Sequence, residues 1–320
     1  MSSVLAFQLY DWHYFFAELL NGLTLGSLYA LIALGYTMVY GVLKLLNFAH
    51  GDVFMIGTYI GWFVLSGLGG VAAPKLPIAP LFLLMFAAAM LGSGLLGVLI
   101  ERFAYRPLRN APRIAPLITA IGVAFFIEQT AVLLWGANPR QYDLFELHNG
   151  TLFNPPAFTV GNLSVQYAQL FVILSAVALL IALSLFVWRT RTGKAMRAVS
   201  FDPEAASMMG IDIDRVIMVT FLIGGALAGA AGVMWGVIQS SFNPYTGFGV
   251  GLKAFTAAVI GGIGNIGGAM LGGLLIGIAE TFTAGYLTST FQDLVVFSLL
   301  VAFMLLRPTG LRGMPVLQKV

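Results

Sequence analysis

Apolar runs of about twenty residues recur along this chain, separated by short polar stretches. A helix needs a run of that length to cross ~30 Å of hydrocarbon. Backbone groups in lipid must pair within the protein, so spanning segments are helices or a closed barrel. The runs lack period-2 alternation, which selects helices. Only 9% of the residues are charged, against roughly a quarter in soluble domains. Such a chain cannot cover a water-facing surface. The expectation is an all-α polytopic membrane protein, one domain over residues 1–320. Its 38 glycines are spread through the apolar runs, and small residues let membrane helices pack closely. Cysteine is absent, which excludes disulfides and thiolate metal sites. The net charge of +3 lies mostly in short loops, where it reports orientation in a bilayer rather than nucleic-acid binding. The first run lacks a basic leader and is too long for a signal-peptide core, so it reads as an uncleaved span.

Spans are expected at about 15–36, 80–101, 114–135, 167–188, 216–238 and 287–306. Two further apolar units are interrupted: 37–68, broken between Leu46 and Asp52, and 250–285, broken by glycines. About eight transmembrane or re-entrant segments result. Arg102, Arg106, Arg109 and Arg113 follow one span, and basic residues crowd 189–215, so both loops read as cytoplasmic. The segment 136–166 carries Arg140 as its sole Lys or Arg and reads as an outer loop. Phe145, Leu147, Leu152, Phe158 and Val160 around Asn149-Gly150 suggest a β-hairpin in it. Loop charge puts the N-terminus outside and the basic C-terminal tail inside. Eight simple crossings cannot do both, so one interrupted unit should be a half-helix plus a span, or re-entrant. Gly41 to Ala49 is similar to Gly249 to Ala257, and the two open interrupted units from opposite sides. An inverted repeat would have that form.

Gly262-Ile-Gly264-Asn-Ile-Gly267 matches G-x-G-x-x-G, but no strand precedes it and no soluble βαβ unit surrounds it. It reads as a helix break, with Asn265 satisfying freed backbone groups. Gly193-Lys194 is followed by Ala195, so there is no P-loop; ATP-driven work would need another subunit. Gly22/Gly26, Gly57/Gly61, Gly225/Gly229, Gly232/Gly236, Gly268/Gly272 and Gly273/Gly277 mark close helix contacts, within the chain or to a second membrane subunit. Ionisable groups at membrane depth are functional candidates. Glu128 is mid-span and is either a pathway group or a buried structural carboxylate. Glu18 and Glu280 read as interfacial. Asn47 and His50 at the first break, beside Asp52, and Asn265 at the second complete the polar groups of a pathway. No metal-ligand spacing, Ser-His-Asp set or carboxylate pair is legible, so neither catalysis nor a cofactor is expected.

The stretch 189–215 holds five of the sixteen basic residues and four of the thirteen acids. It is long for a connection between neighbouring membrane helices. Asp202-Pro203-Glu204 is a helix start and Gly210 a helix stop. The two turns between them are too short to stand alone in water. Their Ala and Met side chains suit a protein groove.

Here the chain resembles a known family. Arg197-Ala198, Asp202, Ala206, Gly210-Ile211, Asp214-Arg215-Val216, Phe221 and Ala226 to Gly232 are similar to the coupling loop and following span of LivH-type permeases of the branched-chain amino acid ABC-importer family. So are Asn21-Gly22 to Gly41, Asn47 to Gly51, Ala257 to Asn265 and Arg307-Pro308-Thr-Gly310. The resemblance covers about residues 15–312. It implies a bacterial inner-membrane permease with a cytoplasmic C-terminus, working with a homologous second permease, two cytoplasmic ATPase subunits and a periplasmic substrate-binding protein. It implies that Arg197, Asp202, Glu204, Ala205, Ala206, Met209 and Gly210 engage an ATPase. Branched-chain or other apolar amino acids are the first substrate class, with urea, short amides and aromatic acids open. An ion-coupled secondary transporter is the alternative from another class, with Glu128 as its lone mid-membrane carboxylate. A membrane scaffold or receptor is a third, which the broken Gly-rich units disfavour.

Overall fold

The computed structural model describes residues 12–68, 78–109, 111–112, 114–142, 156–160 and 163–313. In chain order its α-helices are α1 (Trp12–Leu43), α2 (His50–Gly67), α3 (Ile78–Ile100), α4 (Ile114–Trp135), α5 (Tyr167–Arg189), α6 (Arg191–Phe201), α7 (Pro203–Met208), α8 (Ile213–Gln239), α9 (Thr246–Gly261), α10 (Ile266–Tyr286) and α11 (Gln292–Leu306). A π-helical turn, Glu101–Tyr105, and a 3-10 turn, Arg106–Leu108, extend α3. Among the described residues, seven helices are long and apolar enough to cross a membrane. α2 and α9 are not among them. α2 starts on polar His50 and Asp52, and α9 has only 16 residues.

Contacts sort the helix ends into two sets. At one end Tyr14 bonds the Gly285 carbonyl, Gln169 bonds Asn21, and Tyr142 bonds the Thr58 carbonyl. At the other, Tyr105 bonds the Leu46 carbonyl, Arg106 pairs with Asp214, and the amide of Leu311 bonds the Ile260 carbonyl. Apart from Arg140 and Lys253, the described basic residues gather at this second end, the basic end of the bundle. The interrupted unit 250–285 is two helices, α9 and α10, so one more segment traverses the bundle than the eight counted from sequence. The parity conflict disappears, and α1 starts and α11 finishes at opposite ends.

α1 and α8 form the buried centre, with Leu28, Ile32, Ala228 and Ala231 fully enclosed. α4, α5 and α11 lie outside and expose Phe126, Leu133, Leu174 and Leu305, as lipid-facing helices do. The small-residue pairs are spent inside the chain. Gly22 and Gly26 of α1 lie against Ile278 and Leu274 of α10, and Gly57 of α2 against Gly229 of α8.

The two halves are related by exchange. α1 packs on α10 and α8 on α3; α2 packs on α8 and α9 on α1; α2 packs on α3 and α9 on α10. α1 runs toward the basic end and α8 away from it, so the halves are inverted. Among the described residues two non-glycines have positive φ, Lys44 at 56° and Ser240 at 55°. Each lies six residues before the next helix, and the amides of His50 and Thr246 both bond an asparagine carbonyl, Asn47 and Asn243, at 3.1 Å. This corrects the register expected from sequence. Gly41 to Ala49 covers the end of α1 and the break, whereas Gly249 to Ala257 lies wholly inside α9.

Among the described residues, sheet is confined to loops away from the basic end. β1 (Arg140–Gln141) pairs with β4 (Ser241–Phe242), and β2 (Pro156–Val160) with β3 (Leu163–Gln166). The hairpin expected around Asn149-Gly150 falls on residues 143–155, which lie outside the described residues; β2 and β3 form a hairpin further along the same segment. Tyr142 reaches between α2 and α8, its hydroxyl 2.6 Å from the Thr58 carbonyl. Burial pushes its phenol well above the usual range, so it remains a donor.

Candidate functional site

The connection 189–215 is built from two helices rather than a loop with one. α6 starts because the Thr190 hydroxyl accepts the Gly193 amide at 3.0 Å. It buries Met196 and Val199, one helical turn apart. Asp202 then caps α7, its Oδ1 accepting the amides of Glu204 and Ala205 at 3.0 and 3.1 Å. Pro203 fills the first helical position, where no backbone donor is needed. α7 closes by a Schellman motif: Gly210 N–H to Ser207 O at 2.9 Å and Ile211 N–H to Ala206 O at 3.1 Å. Gly210 has φ +81°, a conformation that costs other residues about 1–2 kcal/mol.

These contacts divide the proposed ATPase-facing residues. Glu204, Ala205, Met209 and Gly210 are exposed. Ala206 is not: its methyl is buried where α7 lies against the bundle. Arg197 is half-buried, with its guanidinium 4.3 Å from the Trp188 ring, and so ties α6 back to α5. The methionines expected to face a groove are indeed exposed, and Phe201, absent from the sequence reading, joins them on the surface. Phe201 is 91% exposed and Met208 86%, beside Met209 at 83%. A lone Phe between a basic helix and a capping Asp was the available signal.

The polar residues at membrane depth fall into separate places. Asn47 is buried in the α1–α2 break, where the Tyr105 hydroxyl lies 3.2 Å from its Oδ1 and 3.0 Å from the Leu46 carbonyl. His50 opens α2 and packs edge-on against Tyr36, ring centroids 4.8 Å apart. Tyr36 lies seven residues before the end of α1, so α2 begins about 10 Å inside that end. α9 begins beside it. A Cβ on Gly247 would lie 2.8 Å from the Gly51 carbonyl oxygen and 2.7 Å from Asp52 Oδ1. Two helix N-termini thus meet inside the bundle, and the buried Asp52 carboxylate sits where both dipoles favour negative charge. Glu128 is buried on α4 within electrostatic reach of Asp52. Asn265 is elsewhere. It caps α10 at the basic end, accepting the Gly268 amide at 2.9 Å and donating to the Arg312 carbonyl at 3.1 Å. Gly262 and Gly264, with φ of +101° and +96°, make the turn before it.

Glu280 is not interfacial. It is buried, and it joins Lys253 at 2.6 Å and the Tyr29 hydroxyl at 2.8 Å. Lys253 also pairs with exposed Asp293 at 2.8 Å. Lys253 within an apolar run was the overlooked signal. Among the described residues no group of three His, Cys, Asp or Glu could hold a metal ion.

Residues 18–305 match the family described as branched-chain amino acid transport system / permease component. Over 313 residues the chain is 43% identical to the high-affinity branched-chain amino acid transport system permease protein BraD of Pseudomonas aeruginosa, covering 96% of this chain and 99% of that one. Over 314 residues it is 43% identical to the permease protein LivH of Escherichia coli, covering 96% and 98%. The solved structure of PsaBC from Streptococcus pneumoniae in complex with Fab aligns with a TM-score of 0.48 and 14% identity over 97% of each chain. The chain, a polytopic helical membrane protein, belongs to the permease family of branched-chain amino acid transport systems.

Proposed function

We propose that this chain is one membrane half of an ATP-driven importer carrying branched-chain or other apolar amino acids into a bacterial cell. The relatives named for high-affinity branched-chain amino acid transport match nearly its full length, which supports that substrate class. The carrying observation for the mechanism is the surface of α7, a rigidly capped helix exposing Met208 and Met209 beside Phe201 at the basic end. The sequence has no P-loop, so the ATP would be hydrolysed by two cytoplasmic ATPase subunits, one of which receives α7. A second homologous permease completes the membrane part, and a periplasmic protein delivers the substrate. The basic end faces the cytoplasm and includes the C-terminus. Residues 1–320 act as one permease domain.

In this mechanism Glu204, Ala205 and Met209 touch the ATPase, while Asp202 and Gly210 fix the shape of α7. Arg197 and Ala206 pass its motion to α5, α6 and α8. Asn47 and His50, with Glu128 nearby, are the polar groups beside the moving pathway. Asn265 anchors the basic end of α10.

The test is co-expression with the neighbouring transport genes, followed by purification and reconstitution. Met208→Asp with Met209→Asp is expected to abolish ATPase co-purification and leucine uptake. The permease itself should keep its melting temperature, because both side chains are exposed. Full ATPase association in that variant would overturn the docking role of α7. Uptake of another solute without leucine uptake would overturn the substrate class.

A further inference from the structure

The α1–α2 break lies far from α7 in sequence, yet one chain of contacts joins them. α7 ends at Met208 with its cap closed by Gly210, and Asp212 caps α8 directly afterwards, its Oδ1 accepting the Arg215 amide at 3.1 Å. The link between the two helices is therefore short and fixed at both ends. Asp214, in the first turn of α8, accepts from both Arg106 and Arg109. Arg109 also pairs with Glu101, which is buried. Glu101 and Tyr105 are the first and last residues of the π-helical turn. Tyr105 reaches the Leu46 carbonyl and Asn47 in the break, and its ring packs on Phe221 of α8 at 5.2 Å.

We propose that Asp214, Arg109, Glu101 and Tyr105 form a positioning relay that couples movement of α7 to the α1–α2 break. The inference rests on the importer reading above and names the residues that carry its motion inward. The π turn supplies the element with two packings. A π turn holds one residue more than an α turn, and passing it along the helix by one residue rotates the side chains it crosses by about 100°. Tyr105 would then leave Asn47, and the break would lose its tether. A simple staple at the end of α3 would need the ion pairs. It would not need a buried hydroxyl aimed into a non-helical segment.

The relay is tested in the complete transporter reconstituted in liposomes, reading leucine uptake per ATP hydrolysed. Tyr105→Phe keeps the ring on Phe221 and removes only the hydroxyl. It is expected to lower uptake per ATP about fivefold or more, the scale of an ordinary coupling between sites, while the ATPases still co-purify. Asp214→Asn should act in the same direction. Because the two residues act in series, the double variant should be no worse than the lower single. A Tyr105→Phe ratio within about twofold of wild type would overturn the relay, and so would multiplicative losses in the double variant. So would a fall in melting temperature with the ratio unchanged, since that is the mark of a staple. Failure of the importer reading shows elsewhere, as wild-type protein that neither co-purifies with an ATPase nor takes up leucine when ATP is supplied.

Discussion

Glu280→Gln should destabilise this protein by an amount that its neighbours set. The Glu280 carboxylate is buried and accepts from Lys253 at 2.6 Å and from Tyr29 at 2.8 Å. Glutamine keeps an acceptor for Tyr29 but removes the charge opposite Lys253. Removing one partner of a buried pair costs about 3–5 kcal/mol. Lys253 retains Asp293 at 2.8 Å, but that carboxylate is 68% exposed and screened by solvent. The expected loss is therefore below that range, about 2–3 kcal/mol, or roughly 5 °C in melting temperature for a chain of this size. The measurement is thermal unfolding of the purified permease in detergent, with Lys253→Met and the double variant completing a cycle. Replacing both members of a buried pair is close to neutral, so the double variant should melt within about 2 °C of wild type. If instead the two single losses add, Lys253 and Glu280 do not stabilise each other, and the cost assigned here is wrong.

Three further outcomes follow from local geometry. Gly247→Ala places a methyl against the Gly51 carbonyl and Asp52; backbone cannot yield as a side chain does, so a loss of about 1–3 kcal/mol is expected, read as reduced folded yield, and wild-type yield would refute the close approach. Asp202→Ala removes the acceptor of two amides at about 1 kcal/mol; amide exchange should quicken at Glu204 and Ala205 while the melting temperature stays, and unchanged exchange would refute the cap. Gly210→Ala should cost about 1–2 kcal/mol locally and Gly210→Asn less, because Asn tolerates the left-handed region; proteolysis within 203–211 reports it, and equal cutting of all three proteins would count against the strain.

What the sequence made legible was local chemistry. The caps of α7 and the break at Gly262 to Asn265 could be read because each is settled by residues within a turn of one another. The lipid-crossing runs could be read because length and hydropathy suffice. Tertiary neighbours hid the rest. Nothing in the string shows that Ala206 faces inward and Phe201 outward, since that depends on where α7 lies against the bundle. Lys253 and Glu280 looked unrelated until α9 and α10 proved antiparallel neighbours. α6 escaped because its apolar face is little more than Met196 and Val199. The repeat was misregistered because its halves share backbone shape more than side chains: Lys44 and Ser240 adopt the same left-handed turn with nothing chemical in common.

The interleaving of the two halves bears on how the protein is made. Tyr14 meets Gly285, 271 positions later, and α3 finds α8 only after α4 through α7 have been synthesised. α2 and α3 can pack on each other early, but the partners of α1 and α3 in α10 and α8 come only with the second half. The glycine faces of α1 that meet α10 must therefore wait in the bilayer with nothing yet to pack against. Insertion comes first and packing follows late in translation. A ribosome that stalls before α8 would leave a threaded but unassembled chain, a substrate for membrane proteases rather than a half-built transporter.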